Sequence, residues 1–415
     1  MKPINFHWIR AVIAMLCTHF LFIITGCSNS LLPIDNEFTN IYPPITWKGA
    51  YEDVDHIKSA VKASAIIVPS VGSSSSIKYT IPDTLVAAAA AHDIVFIGEQ
   101  HYILEHVLFT TEFVKRLHAA GFRAFVHETD HALGMIFDDY VQLKRDYPRW
   151  LPKYGYVDAI REFNQTLTED ERLHFLTFDV NHSNSVYWSV IEDSWLYRDS
   201  LLFSELFALP RKCWDKGYPE ALEKIASTLE AGEAHYRTSF GDEGYTKLMQ
   251  LTACEVKSYH RRINRSDMLR EDVITENIES VIAQYGKVIV GSGSAHAGKK
   301  AVTIVGDNEG SWVGVRLQAR YGSRVWSGCF LPVRGYIPIF SSNSPCKDFD
   351  AYAESYPSDL MRIVPDLYPN QTVYLPFTGE PFTNKKIGVS NNVYVPAEVF
   401  DALVLYPYVT SLKSH

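Results

Sequence analysis

Four places in this 415-residue chain put histidines or carboxylates directly after short apolar runs. Ile94-Val95-Phe96-Ile97 leads through Gly98 to Glu99 and His101, and Phe122 to Val126 leads to Glu128. Leu173 to Phe178 leads to Asp179, and Lys287 to Val290 leads into Gly291-Ser-Gly-Ser-Ala-His296. In an open α/β sheet, ligands bind beyond the carboxyl ends of the strands, so these sequence-distant groups are expected to converge on one edge. A single histidine after a strand is commonly a loop residue bonded to backbone; four polar strand ends in one chain point to a site. Two histidines and two carboxylates suit two chemistries. They can hold a divalent metal that activates water. Alternatively, a carboxylate-oriented histidine can serve as the general base on water without metal. Sequence leaves both open.

Competing motifs fail on particular residues. Gly293-Ser-Ala-His-Ala-Gly298-Lys299-Lys300 approaches a phosphate-binding loop, but Lys300 stands where a Ser or Thr would hold magnesium. His101, Glu105 and His106 are spaced one residue too long for an inverted zinc-protease helix, and Glu105 is expected to be an exposed helix carboxylate. No G-x-S-x-G elbow occurs in the Gly291–His296 stretch. His127, His131 and His182 lie near the expected site as loop or rim residues.

The elements that must position these groups alternate. A helix is expected from Asp83 to Ala91, and a second carries Leu104, Leu108, Phe109, Phe113 and Leu117 at helical spacing, ending at Gly121. Continuous apolar runs between such helices predict an α/β fold with a mostly parallel sheet covered by helices. A charged, aromatic-rich region from 190 to 285 is expected as a helical cap or bundle inserted before the last of the four strands. The expected core spans 81–300. Residues 301–415, rich in Tyr, Pro and Phe, are expected as an irregular, strand-containing C-terminal extension that completes the domain.

The N-terminus carries Lys2 and Arg10, an apolar stretch from Ala11 to Ile24, and Thr25-Gly26-Cys27. This 14-residue stretch is too short for a membrane-spanning helix, which needs about 20, so residues 1–26 are expected to be a signal peptide. Ile24-Thr-Gly-Cys27 resembles a bacterial lipobox, which implies lipidation of Cys27 and anchoring of the chain to the lipid bilayer of the cell envelope. Ser28 resembles the outer-membrane sorting pattern. An ordinary secreted protein with a chance cysteine is the alternative. Residues 27–80, with Pro43-Pro44 and Ser73 to Ser76, are expected as a tether with a small lead-in.

Removing residues 1–26 leaves 37 basic and 48 acidic residues, a net charge of −11. Without a basic cluster, such a chain is poorly suited to phosphate backbones, which argues against nucleic acid partners. Four further cysteines remain, Cys213, Cys254, Cys329 and Cys346, with Cys329–Cys346 the expected disulfide because it closes a short loop. Their spacing lacks zinc-type CxxC pairs.

Gly98-Glu-Gln-His101 and Gly293-Ser-Ala-His296 share the spacing G-x-x-H. The pair resembles the Tiki superfamily: Tiki-type metalloproteases, TraB/GumN-like proteins, ChaN-like haem-binding lipoproteins and erythromycin-esterase-like hydrolases. The segment Gly121 to Glu128 looks especially like the erythromycin-esterase group, as do Ile160-Arg-Glu-Phe-Asn164, Phe178-Asp179, and Arg270-Glu271 followed by Glu276-Asn277. The resemblance covers roughly residues 90–300. It implies that His101 and His296 activate water or bind metal, that Glu99 and Glu128 act as ligand, orienter or base, and that Asp179 and Arg270 give support or stabilise an oxyanion. A metal set would be His101, Glu128 and His296. The chain departs from the esterase pattern in two ways. Its first motif is one residue short between glutamate and histidine, which leans toward ChaN- and Tiki-type members, and Glu271 stands where aspartate would follow the arginine. Both put macrolide specificity in doubt. The implied function is an envelope hydrolase of ester or amide bonds acting on a small-molecule or peptide substrate. The alternatives are a haem- or iron-handling lipoprotein without catalysis, and a catalytically inert interaction module.

Overall fold

The computed structural model describes residues 53–72, 77–195, 208–301, 312–338, 346–355, 359–390 and 392–412. The expected signal peptide, the lipobox-like motif and Cys27 lie outside the described residues. No helix among the described residues is long and apolar enough to cross a membrane.

The centre is an eight-stranded sheet. Its strands are β1 (Ile66–Ile67), β2 (Ile94–Glu99), β3 (Ala124–Asp130), β4 (His174–Asp179), β5 (Val288–Gly293), β6 (Val325–Pro332), β7 (Val373–Pro376) and β8 (Ala402–Tyr406). They run in the order β1-β7-β8-β6-β2-β5-β3-β4. All pairs from β8 to β4 are parallel, and β7 is antiparallel to both its neighbours. This is the mostly parallel α/β sheet expected from the apolar runs. Alternate residues serve opposite faces: Ile94 and Phe96 enter one hydrophobic core, Val95 and Ile97 the other. A strand buried on both faces has no polar alternation, which explains the unbroken runs.

On one face lie Val54–Ser64, α7 (Asp267–Tyr285) and Val313–Tyr321; on the other lie Asp83–Ala90, α1 (Leu104–Ala119), α2 (His131–Val141) and α3 (Gly155–Asn164). The helical region divides in two. Helices α4 (Asn184–Ser194), α5 (Tyr218–Ala231) and α6 (Glu233–Asn264) close a separate core around Tyr187, Tyr218 and Leu251. Helix α7, by contrast, lies directly on the sheet through Ile274 and Ile278.

Two expectations are corrected, the tether and the disulfide. The stretch read as a tether and lead-in is integral from Val54 on, because Ile57 and Val61 are fully buried and Ile66 pairs with Tyr374. The C-terminal region carries strands and completes the domain, as expected. It supplies β6, β7 and β8, and β6 pairs directly with β2. Cys329 and Cys346 are free thiols, as are Cys213 and Cys254. Cys329 sits mid-strand in β6 against the apolar core, whereas Cys346 opens a strand in a separate three-stranded sheet. Short separation along the chain does not bring side chains on different sheets together.

Candidate functional site

Strands β2, β5, β3 and β4 are consecutive, so their carboxyl ends form one edge, with Glu99 paired to Gly293 in register. Glycine is required there by close approach. A Cβ on Gly98 would lie 2.7 Å from that of Ala297, and one on Gly293 would lie 3.0 Å from His101 Nε2. The two G-x-x-H motifs therefore interlock, each glycine making room for the segment that carries the other motif's histidine.

Glu99 is buried at the end of β2. His101 Nδ1 donates to Glu99 Oε1 at 2.9 Å, and the Tyr156 hydroxyl donates to Oε2 at 2.9 Å. His106 Nε2 lies 2.6 Å from the same Oε2, and His127 Nε2 lies 3.7 Å away. His127 Nδ1 meets the Tyr154 hydroxyl at 2.8 Å. Burial alone would raise the Glu99 carboxyl. The imidazoles of His106, His101 and His127 outweigh it and hold the group well below the usual carboxylate range.

Glu128 sits where β3 has one extra residue relative to β4, between His127 and Asp130. Such bulges re-aim side chains at sites. Its Oε2 accepts from the Gly293 N–H at 2.7 Å, and its Oε1 accepts from Arg270 Nη2 at 2.6 Å. Two imidazoles face its two oxygens: His101 Nε2 is 3.8 Å from Oε2, and His296 Nε2 is 3.5 Å from Oε1. Arg270, from the first turn of α7, also grips Asp179 through Nε at 2.9 Å and Nη2 at 2.6 Å. Its Nη1 reaches His296 Nε2 at 3.3 Å. Behind His296, Nδ1 lies 3.0 Å from Glu271 Oε1, while Glu271 Oε2 accepts from the Val313 N–H. The Trp312 ring packs edge-on at 4.7 Å.

Each histidine is thus backed by its own carboxylate, with Glu128 between. For His101, burial lowers the pKa, but the contact with Glu99 and the charge of Glu128 raise it to about 9. For Glu128, burial raises the pKa, and His296, His101, Arg270 and the Gly293 N–H bring it down to about 2. His296 is raised, because Glu271 and Glu128 overcome its burial.

All six sequence-predicted site residues, Glu99, His101, Glu128, Asp179, Arg270 and His296, therefore meet at one edge. His182 stands at the rim, bonded to Asp130 and 3.5 Å from Asp179. His131 contacts the Thr177 carbonyl instead. His127 is no rim residue but part of the buried shell around Glu99. Glu105 is corrected from exposed to buried, bound to Thr410. Asn164 is structural, tying Val141 to Leu173. Sequence reasoning missed Tyr154, Tyr156 and Trp312 as site neighbours. It took Glu271 as part of the resemblance and as a departure from it but gave it no role, yet its place beside Arg270, at the head of a helix ending just before a strand, was a usable signal. Lys299 and Lys300 of the false phosphate loop are paired to Asp401 and Glu398.

The set His101, Glu128 and His296 does not fit a divalent cation. The Arg270 guanidinium already occupies Glu128 Oε1 and lies against His296 Nε2, and a fixed positive charge there opposes a second one. Among the described residues no group of three or more His, Cys, Asp or Glu is arranged to hold a metal ion.

No family model matches the chain, and no curated protein matches its sequence. Solved structures do match in fold. A protein from Bacillus cereus superposes with a TM-score of 0.65 at 16% identity, covering 88% of this chain and 100% of that one. A succinoglycan biosynthesis protein gives 0.61 at 15% identity, over 88% and 99%. The erythromycin esterase EreC, as a histidine-to-asparagine variant in its open conformation, gives 0.56 at 14% identity, over 79% and 93%. The chain shares its fold with these three proteins. At these identities the likeness is one of fold, and the chemistry must be argued from the side chains themselves.

Proposed function

We propose that this chain is a metal-independent hydrolase of ester or amide bonds, held at the bacterial envelope, on the outer membrane, by a lipidated Cys27. The observation that carries the catalytic reading is the Glu99–His101 couple. Its Nδ1 is locked to an ionised, buried carboxylate at 2.9 Å, while the ring is 37% exposed in an otherwise buried cluster. That geometry leaves His101 Nε2 as the base open to water.

In the proposed reaction, His101 Nε2 takes a proton from water as the water oxygen attacks the substrate carbonyl carbon. Arg270 uses Nε and Nη2 on Asp179 and Glu128, which leaves Nη1, beside His296 Nε2, to face the oxyanion. Collapse breaks the carbonyl–oxygen or carbonyl–nitrogen bond, and the leaving group takes the proton back from His101. Glu128 fixes the spacing of the two imidazoles. An esterase of the same fold supports the reaction class.

The test is turnover of a panel of chromogenic esters and amides by the full chain in detergent, with and without chelator. His101→Gln should reduce turnover by about 10²–10⁴-fold with an unchanged circular dichroism spectrum. Undiminished turnover in that variant refutes the base, and turnover lost on chelation refutes metal independence. A Soret band on haem addition, absent in His101→Gln and accompanied by no turnover of any substrate, would establish the haem-handling alternative instead.

A further inference from the structure

The turn that carries His101 is held from the far end of the chain. Tyr102, the next residue, has φ +66°, a left-handed conformation that a bulky side chain adopts only when its surroundings impose it. Those surroundings come from the C-terminus. The Leu412 N–H donates to the Tyr102 carbonyl at 3.0 Å, and Ile103 forms an antiparallel bridge with Ser411. In the first turn of α1, Glu105 is almost wholly buried and uses both oxygens on one residue: Oε2 accepts from the Thr410 N–H at 2.7 Å, and Oε1 from its hydroxyl at 2.8 Å. Val409 and Thr410 are themselves anchored, pairing in parallel with Gly335 and Tyr336.

The same segment also reaches the other half of the couple. The Tyr406 hydroxyl lies 3.4 Å from His106 Nδ1, and His106 Nε2 lies 2.6 Å from Glu99 Oε2. Both members of the Glu99–His101 pair are thus braced by residues 406–412. A buried carboxylate is costly unless its bonds do something a smaller group could not. Charge-assisted hydrogen bonds at both oxygens are among the strongest fastenings a side chain offers.

We infer that residues 406–412 form a strap that positions the His101 turn for hydrolysis, with Glu105 as the positioning residue that fastens it; this deepens the hydrolase reading and rests on it. Glu105 touches neither His101 nor the reacting atoms. It acts by fixing the backbone on which His101 stands, and a misplacement of about 1 Å in a base costs about 10²-fold in rate.

The experiment compares the full chain with Glu105→Ala, Glu105→Gln and Leu412→Pro, the last removing the N–H that meets Tyr102. The readouts are kcat, KM and the His101 imidazole titration followed by NMR. For Glu105→Ala and Leu412→Pro, kcat should fall by about 10–10²-fold with KM little changed. The His101 titration should move from about 9 toward 6.5 as its hold on Glu99 loosens. Glu105→Gln, which still accepts from the Thr410 N–H, should recover most of the loss. A wild-type titration and kcat in both disruptive variants would overturn the strap, as would rate losses matching only the unfolded fraction seen by circular dichroism. If the wild-type chain hydrolyses nothing, the hydrolase reading fails alone, because the titration still decides whether the strap positions His101.

Discussion

Arg270→Gln is the most informative single substitution for the architecture of the site. Arg270 bridges two buried carboxylates, Asp179 at 1% side-chain exposure and Glu128 at 8%. Glutamine cannot reproduce the bidentate grip on Asp179 or carry the charge. Breaking a buried pair from one side typically costs about 3–5 kcal/mol, because the remaining charge is left in a poorly solvating place. Glu128 keeps His296 and His101 as neighbours, so most of the loss falls on Asp179, beside which His182 stands at 3.5 Å. The collective stake at Glu128 is of similar size, since a carboxyl held at about 2 rather than 4.5 corresponds to about 3 kcal/mol. The pH dependence gives the diagnostic. In the wild type, Glu128 is depressed, so its contribution is fully present above 4.5 and lost only as pH falls toward 2; from pH 7.5 to 5 it is constant. In the variant, Glu128 loses Arg270 as one of the groups that hold it down, and its carboxyl moves up from about 2. The difference between the two proteins is then constant above 4.5 and shrinks only as pH falls below it, where the wild type loses the Glu128 contribution. Urea unfolding at pH 7.5 should therefore show a deficit of about 3–5 kcal/mol that persists at pH 5 and shrinks at pH 3.5. A deficit below about 1 kcal/mol, or one unchanged at pH 3.5, would refute the reasoning.

Three further outcomes are expected. With His101 as base and its pKa near 9, kcat/KM should rise with pH and level off above about 9, because only the neutral imidazole accepts a proton; Glu99→Gln should move that rise toward 6.5, and a flat profile would contradict the assignment. Gly293→Ala places a Cβ 3.0 Å from His101 Nε2 and 3.4 Å from Glu128 Oε2, so activity should fall about tenfold or more while thermal unfolding shows a loss of about 1–3 kcal/mol. Cys27→Ser should stop incorporation of labelled fatty acid and release the chain from the membrane fraction, and continued membrane retention without label would remove the lipoprotein proposal.

The sequence by itself determined what local physics governs. Unbroken apolar runs such as Ile94–Ile97 specify strands buried on both faces, and a parallel sheet turns all its strand ends to one side. Glu99, Glu128, Asp179 and His296 could therefore be placed on one edge before any contact was known. Helical periodicity located Leu104–Ala119 in the same way. Only the tertiary structure decided who stands next to whom. An apolar run says that a strand exists but not which strand it pairs with, so Val325–Pro332 gave no sign that it would lie beside β2. The partners that set the charge states come from elements far apart in the chain: Tyr156 to Glu99, Arg270 to Asp179, Thr410 to Glu105. Amphipathic spacing could not show that Glu105 is buried, because burial of a carboxylate depends on a hydrogen-bonding partner 305 residues away. The loop-closure argument for Cys329–Cys346 failed for the same reason, since β6 carries Cys329 into the apolar core and away from its neighbour in sequence.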